Sequence, residues 1–416
     1  MCSELPSFTC TCSRASCARL KNRMVDFDAS LRDELDSIAA ADRYRQRRIV
    51  EVLDPDVPMQ VRVNGRACIN FCSNDYLGLA AHAEVRQAMS DAAQRYGAGS
   101  GAAHLVTGHS PEHHALEAEL AEFVGRERAL LFSTGYMANL GVASALLTRG
   151  DAVFEDRLNH ASLLDAGLAS GERFARYAHT NTEELKQQLG DSTARRKLVM
   201  SDGVFSMDGD VAPLRALAAT CQQHQAILMI DDAHGFGVLG AQGQGSVHDA
   251  GLSSADVPIY MATLGKAVGV SGAFVAGSTA LIETLIQKAR TYIYTTATPP
   301  AVAAATRAAL RLVQNDHERR DRLQRLIQRF CVGAKQLGLP LMPSTTAIQP
   351  LLLATESAAL AASKQLLNSG ILVSAIRPPT VPAGSSRLRV TLSAAHNEQD
   401  VDRLLDALKD LPRVNA

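Results

Sequence analysis

At 416 residues, 46% of them hydrophobic and with a formal net charge of -1, the chain can bury a large core split between two domains, and it has no electrostatic attraction for nucleic acid or an anionic membrane. No run of about eighteen apolar residues is present, so nothing reads as a bilayer span. Four of the eight cysteines, Cys2, Cys10, Cys12 and Cys17, crowd the start and the others are scattered; this is no disulfide framework and no usual zinc spacing, and it fits a reducing cytoplasm.

Residues 1–23 lack the charged and apolar regions of a signal peptide and read as a disordered leader, with Met24 as the biological start. Residues 24–70 read as an arm. Phe27, Leu31, Leu35 and Ile38 recur at helical steps, the basic cluster Arg43 to Arg48 follows, and Val61 to Phe71 forms a hairpin around Asn64-Gly65. The main domain, residues 71–298, opens at the polar turn Cys72 to Leu79. Ser110 caps a helix with Pro111 in its first turn, and His113 and His114 are expected to be exposed; no metal ligand is expected.

Four apolar runs then alternate with helical stretches, each ending in polar residues. Ala129 to Phe132 turns at Ser133-Thr-Gly-Tyr136 into a helix whose first N–H groups can hold a phosphate. Val153 starts a strand that ends at His160, which can stack on an aromatic ring or cap the next helix. Lys197 to Met200 leads to the turn from Ser201 to Gly209, and Ala226 to Ile230 ends in Asp231-Asp-Ala-His234. Such a pattern predicts an α/β fold with a mostly parallel sheet and a site along one edge. Beyond Pro299-Pro300, helices over 301–338, strands at 350–353 and 388–392, and a last amphipathic helix predict a smaller α+β domain, residues 299–416.

Lys266, in the stretch Met261 to Gly269, sits among small and apolar residues. A desolvated ammonium loses its proton more readily, as imine formation with a carbonyl requires. Asp231 ends a buried strand, where a carboxylate needs a cationic partner, and a protonated pyridine nitrogen is one. Together they suggest pyridoxal phosphate. A non-catalytic assembly partner would be expected to lose one of the two, and a gene regulator would need a basic DNA-reading module that the chain does not offer.

Asn74-Asp-Tyr-Leu-Gly78, Ser133-Thr-Gly-Tyr136, Val204-Phe-Ser-Met-Asp-Gly209, Asp231-Asp-Ala-His-Gly235 and Thr263-Leu-Gly-Lys266 resemble, in order, the motifs of the α-oxoamine synthases, pyridoxal-phosphate enzymes of fold type I. The resemblance runs from about Arg43 to the C-terminus. It implies that Lys266 holds the cofactor and moves the α-proton, that Asp231 pairs with the ring nitrogen, and that His160 stacks on the ring. Ser206 and His234 would bond the phenolic oxygen. Gly135, Tyr136 and Thr263 would bind phosphate, with Thr295 or Thr296 of a second subunit. Arg389, with Asn74, would meet the amino-acid carboxylate, and Arg48 and Thr380 the acyl substrate, with Arg47 or Arg45 open in place of Arg48. The segments 347–350, 375–384 and 387–396 resemble the branch that joins L-alanine to a pimeloyl thioester, carried by coenzyme A or a carrier protein, for biotin synthesis. Sibling enzymes making aminolevulinate, aminoketobutyrate or ketosphinganine share the core motifs. The family works as homodimers.

Overall fold

The computed structural model describes residues 26–171 and 173–411, so the leader expected at residues 1–23 lies outside the described residues. Contacts divide the chain into two units, Met1–Arg47 and Arg48–Ala416. In the first, the apolar steps from Phe27 do form a helix, Phe27–Ala40, capped by Asp26, whose Oδ1 accepts from the N–H of Ala29 at 3.1 Å. Phe27, Leu31, Leu35 and Ile38 nevertheless stay exposed, so periodicity set the helix without supplying its burial.

The second unit begins with β1 (Val50–Val52), β2 (Gln60–Val63) and β3 (Arg66–Asn70). Asn64 and Gly65 have φ of 48° and 87°, and two successive positive values make the tight turn that places Val63 opposite Arg66. The arm is not closed on itself: β3 pairs in parallel with β12 (Ile371–Leu372), a strand from the C-terminal part.

The central sheet comprises β4 (Arg128–Phe132), β5 (Ala152–Asp156), β6 (Arg173–Tyr177), β7 (Lys197–Asp202), β8 (Ile227–Asp231), β9 (Ile259–Thr263) and β10 (Ala273–Gly277), in the order β4-β10-β9-β8-β7-β5-β6. Strands β5 to β9 pair in parallel, and β10 runs antiparallel to both neighbours. Successive residues of β8 enter opposite cores: Leu228 and Ile230 one, Met229 the other. Of the seven strands, four follow from the apolar runs that end in polar residues. Strand β9 ends at Thr263, three residues before Lys266, and β10, a buried strand as long as β4, is not singled out in the sequence.

The helices Pro300–Asn315 and His317–Gln336 fill the expected span, and β11 (Ile348–Ala354), β13 (Ser374–Ile376) and β14 (Ser386–Thr391) form an antiparallel sheet in the order β11-β14-β13. The last helix is Glu398–Lys409, and its Val401, Leu404 and Leu408 are buried. Among the described residues, no helix is long and apolar enough to cross a membrane.

Candidate active site

The pleat at the end of β8 decides which of two adjacent carboxylates faces the site. Asp231 follows Ile230 and falls on the side of Met229 and the helix Gly135–Leu146. Its Oδ2 accepts from Asn139 Nδ2 at 2.8 Å and its Oδ1 from the N–H of Ala233 at 3.0 Å. Asn139 also donates to Ser162 Oγ at 2.8 Å, and that hydroxyl donates in turn to His160 Nδ1 at 2.8 Å. The N–H of Ser162 reaches the same Nδ1 at 3.2 Å, so this nitrogen is an acceptor and the proton sits on Nε2. Asp202 fixes the other end, accepting from the His160 N–H at 2.6 Å. His160 is thus oriented from three sides yet remains exposed, leaving ring surface to cover a ligand. Burial lowers its pKa, opposed by Asp231.

Lys266 lies three residues beyond the end of β9. Thr263 Oγ1 shapes the turn by donating to the Gly272 carbonyl at 3.0 Å and accepting from the N–H of Gly265 at 3.3 Å. Lys266 Nζ is 2.7 Å from His234 Nε2, and His234 Nδ1 is 2.5 Å from the Tyr76 hydroxyl. Burial lowers the Lys266 pKa to about 8 against the pull of Asp231 and Asp202, while Arg389 lowers it further. Buried His234 is pushed well below the usual histidine range, with Lys266 adding to the effect, and so is neutral. A neutral ring that accepts at Nε2 donates at Nδ1. Each group therefore donates to the next, Lys266 to His234 and His234 to Tyr76, whose hydroxyl donates to Asn74 Oδ1 at 3.3 Å.

The donors meet on Asn74 Oδ1, which also accepts from Arg389 Nη1 and Nη2 at 3.3 and 3.2 Å, and Arg389 Nε donates to the Ser206 carbonyl at 2.6 Å. Arg389 is 7% exposed, and no described carboxylate lies within ion-pair distance of it. Two residues back on β14, Arg387 differs, since it pairs with Asp208 at 2.7 Å. A buried guanidinium held only by neutral acceptors is suited to an incoming carboxylate.

At the start of the helix Gly135–Leu146, Thr134 Oγ1 accepts from the N–H of Met137 at 3.1 Å. The N–H groups of Gly135 and Tyr136 have no acceptor among the described residues and are open to an anion. The Tyr136 hydroxyl is bonded to Asp165.

Other residues singled out in the sequence are not drawn onto Lys266 within one chain. Thr296 and Thr380 are exposed, the N–H of Thr380 donating to the Arg377 carbonyl at 3.1 Å. Arg48 is exposed as well, close enough to Cys72 and Cys68 for its charge to oppose the upward push of burial on both thiols. Ser206 contributes its carbonyl to Arg389. Sequence reasoning assigned no role to Tyr76, Asn139, Ser162 or Asp202; all four sit inside or beside quoted motifs, but only their contacts reveal what they hold.

An aldehyde-bearing pyridinium with a phosphate tail fits these donors: a buried carboxylate with no described cation in ion-pair range, open N–H groups at a helix start, an imidazole face and an amine of lowered pKa. The aminotransferase class I and II family model matches residues 66–408. The chain is 58% identical over 390 residues to the 8-amino-7-oxononanoate synthase of Saccharophagus degradans, covering 94% of this chain and 98% of that protein. It is 61% identical over 379 residues to that of Thioalkalivibrio sulfidiphilus, covering 91% and 96%. Among solved structures, Sphingomonas wittichii serine palmitoyltransferase is similar with a TM-score of 0.87 at 32% identity, covering 94% of this chain and 98% of that one. A high-resolution structure of SPT with PLP internal aldimine reaches 0.86 at 30% identity, with 91% and 96% covered. The 8-amino-7-oxononanoate synthase of Francisella tularensis gives 0.72 at 32% identity, covering 82% and 97%.

The chain therefore belongs to the class I and II aminotransferases, with the fold of type I pyridoxal-phosphate transferases. Within that class it belongs to the 8-amino-7-oxononanoate synthases, since relatives of that name are 58% and 61% identical to it along almost their whole length.

Proposed function

We propose that the chain condenses L-alanine with a pimeloyl thioester, of coenzyme A or a carrier protein, to give 8-amino-7-oxononanoate, carbon dioxide and the free carrier thiol. The observation that carries this reading is the hydrogen-bonded path from the Lys266 amine to a buried guanidinium with no described carboxylate partner. Pyridoxal phosphate, when bound, supplies a cationic ring that accepts the electron pair released at the amino acid's α-carbon. Lys266 supplies the amine that holds the cofactor, then takes the α-proton on Nζ and returns it to the product; a pKa near 8 suits both directions near neutral pH. Asp231 keeps the ring nitrogen protonated, and Asn139 and the Ala233 N–H keep Asp231 in place. His160 covers the ring. Ser206 and His234 would bond its phenolic oxygen, and Gly135, Tyr136 and Thr263 would hold the phosphate with Thr296 of a second copy.

Arg389 and Asn74 orient the alanine carboxylate, and Arg48 and Thr380 receive the acyl group. Residues 71–298 in this reading hold the cofactor, and residues 299–416 carry the carboxylate clamp. Four described cysteines, Cys68, Cys72, Cys221 and Cys331, are unbridged, which supports a reducing cytoplasm as the place of work, with a homodimer as the working form. The test measures thiol release with alanine, glycine and serine crossed against pimeloyl and other acyl thioesters. Alanine with pimeloyl is expected to lead; a lead for glycine with acetyl or succinyl, or for serine with palmitoyl, overturns the assignment in favour of a sibling activity.

A further inference from the structure

Of the two histidines at the start of the helix Pro111–Phe123, His114 is exposed as the sequence suggested and His113 is not. His113 is fully buried, and ring nitrogens of His104, His109 and His113 all lie within 4.8 Å of one another. None of the three belongs to either hydrogen-bonded network of the catalytic site. We propose that His104, His109 and His113 bind a divalent transition metal of zinc type, which ties the segment 104–109 to the start of the helix Pro111–Phe123.

His104 Nδ1 and His109 Nδ1 are 3.1 Å apart. Two imidazole nitrogens on one tetrahedral zinc stand about 3.3 Å apart, given bonds of roughly 2.0–2.1 Å, so the pair is close to ligand spacing already. Of the two, the ring that now donates its Nδ1 proton moves it to Nε2, and both then offer lone pairs without any change in charge. His113 is held from two sides: its Nε2 donates to the Thr298 carbonyl at 2.7 Å, and its Nδ1 accepts from the Ser110 N–H at 3.0 Å. Nδ1 is therefore its lone-pair atom, and the ion replaces its bonds to the Ser110 N–H and, at 2.9 Å, to the Ser110 hydroxyl.

His104 is fixed as well, stacked on Tyr292 with centroids 5.2 Å apart and planes 12° from parallel. His109 is exposed, which gives the ion a path in and leaves a fourth position for water. Three imidazoles with no thiolate or carboxylate select borderline cations such as zinc, cobalt or nickel over calcium and magnesium. The segment that carries His104 is already anchored, through Ala297 N–H to the Ala102 carbonyl at 3.0 Å and Ser100 Oγ to the Thr298 carbonyl at 2.5 Å.

The test uses untagged, cofactor-loaded protein stripped with a chelator and titrated with zinc against a chromophoric competitor, with cobalt as spectroscopic substitute. One ion per chain is expected, with cobalt bands of nitrogen and oxygen ligation and a zinc-dependent rise in melting temperature. His109→Ala, at an exposed position, should keep the fold by circular dichroism, weaken zinc binding by about tenfold or more, and abolish the melting shift. No uptake by the wild type, equal uptake by His109→Ala, or a thiolate charge-transfer band showing that cysteines hold the ion would each overturn the proposal.

Discussion

Asp231 and Asp232 are chemically identical neighbours with opposite duties. Asp231 faces the helix Gly135–Leu146 and is backed by Asn139. Asp232, with no exposure at all, points to the other side, where its Oδ2 accepts from the Ser246 N–H at 2.7 Å and the Tyr260 hydroxyl at 2.9 Å. Burial pushes Asp232 up to about 7. One carboxylate is poised for a ligand, while the other holds the loop after β8 on the sheet. A strand turns successive side chains to opposite faces, so one position along the chain separates the candidate site from the opposite core.

The contrast can be broken by substitution. Removing the amine that Asp231 serves should have the largest effect: Lys266→Ala is expected to lower kcat by roughly 10^4-fold and remove the visible band of lysine-bound cofactor, and an unchanged spectrum would mean that another residue holds it. Asp231→Asn should lower kcat by about 10^2 to 10^3 with the melting temperature little changed, because a neutral amide no longer stabilises a protonated ring. Arg389→Lys should raise the KM for alanine by roughly 10- to 100-fold while cofactor absorbance stays, since a point charge cannot reproduce the planar fork.

The pH dependence tests the amine directly. The neutral form reacts, so cofactor capture by the apo-protein should rise about tenfold per pH unit up to about 8 and then level off; a rise continuing to pH 10 would indicate an ordinary solvated lysine. Asp232→Asn should have the smallest effect on turnover, with kcat within about twofold and a stability loss of about 1–3 kcal/mol in denaturant melts. Its pH signature follows from the raised pKa. Between 3.8 and about 7 the folded state binds more protons than the unfolded one, so wild-type stability falls as pH rises through that window, and the variant should fall less.

Much of the site was legible because its chemistry is local. Lys266 among small residues, Asp231 at the end of an apolar run and Ser133-Thr-Gly-Tyr136 before a helix each carry a physical reason within a few positions. The supporting residues were not legible. Asn139 looks like an ordinary helix residue until its amide is seen to join Ser162 to Asp231, across 23 and 92 positions of chain. Tyr76 reads as a turn aromatic until it meets His234, 158 positions away. His113 was expected in solvent because a histidine pair at a helix start is polar, but the Thr298 carbonyl, 185 positions on, gives its Nε2 a buried partner.

The sequence by itself determined the alternation of strands and helices and singled out Lys266, Asp231 and Arg389, because each depends on side-chain chemistry and short-range backbone geometry. Only the tertiary structure decided which of two aspartates faces the helix Gly135–Leu146, how the lysine connects to the arginine, and where three histidines converge. Those outcomes rest on strand pleat and on contacts between distant segments. No local window of sequence contains the partner that makes a buried polar atom tolerable.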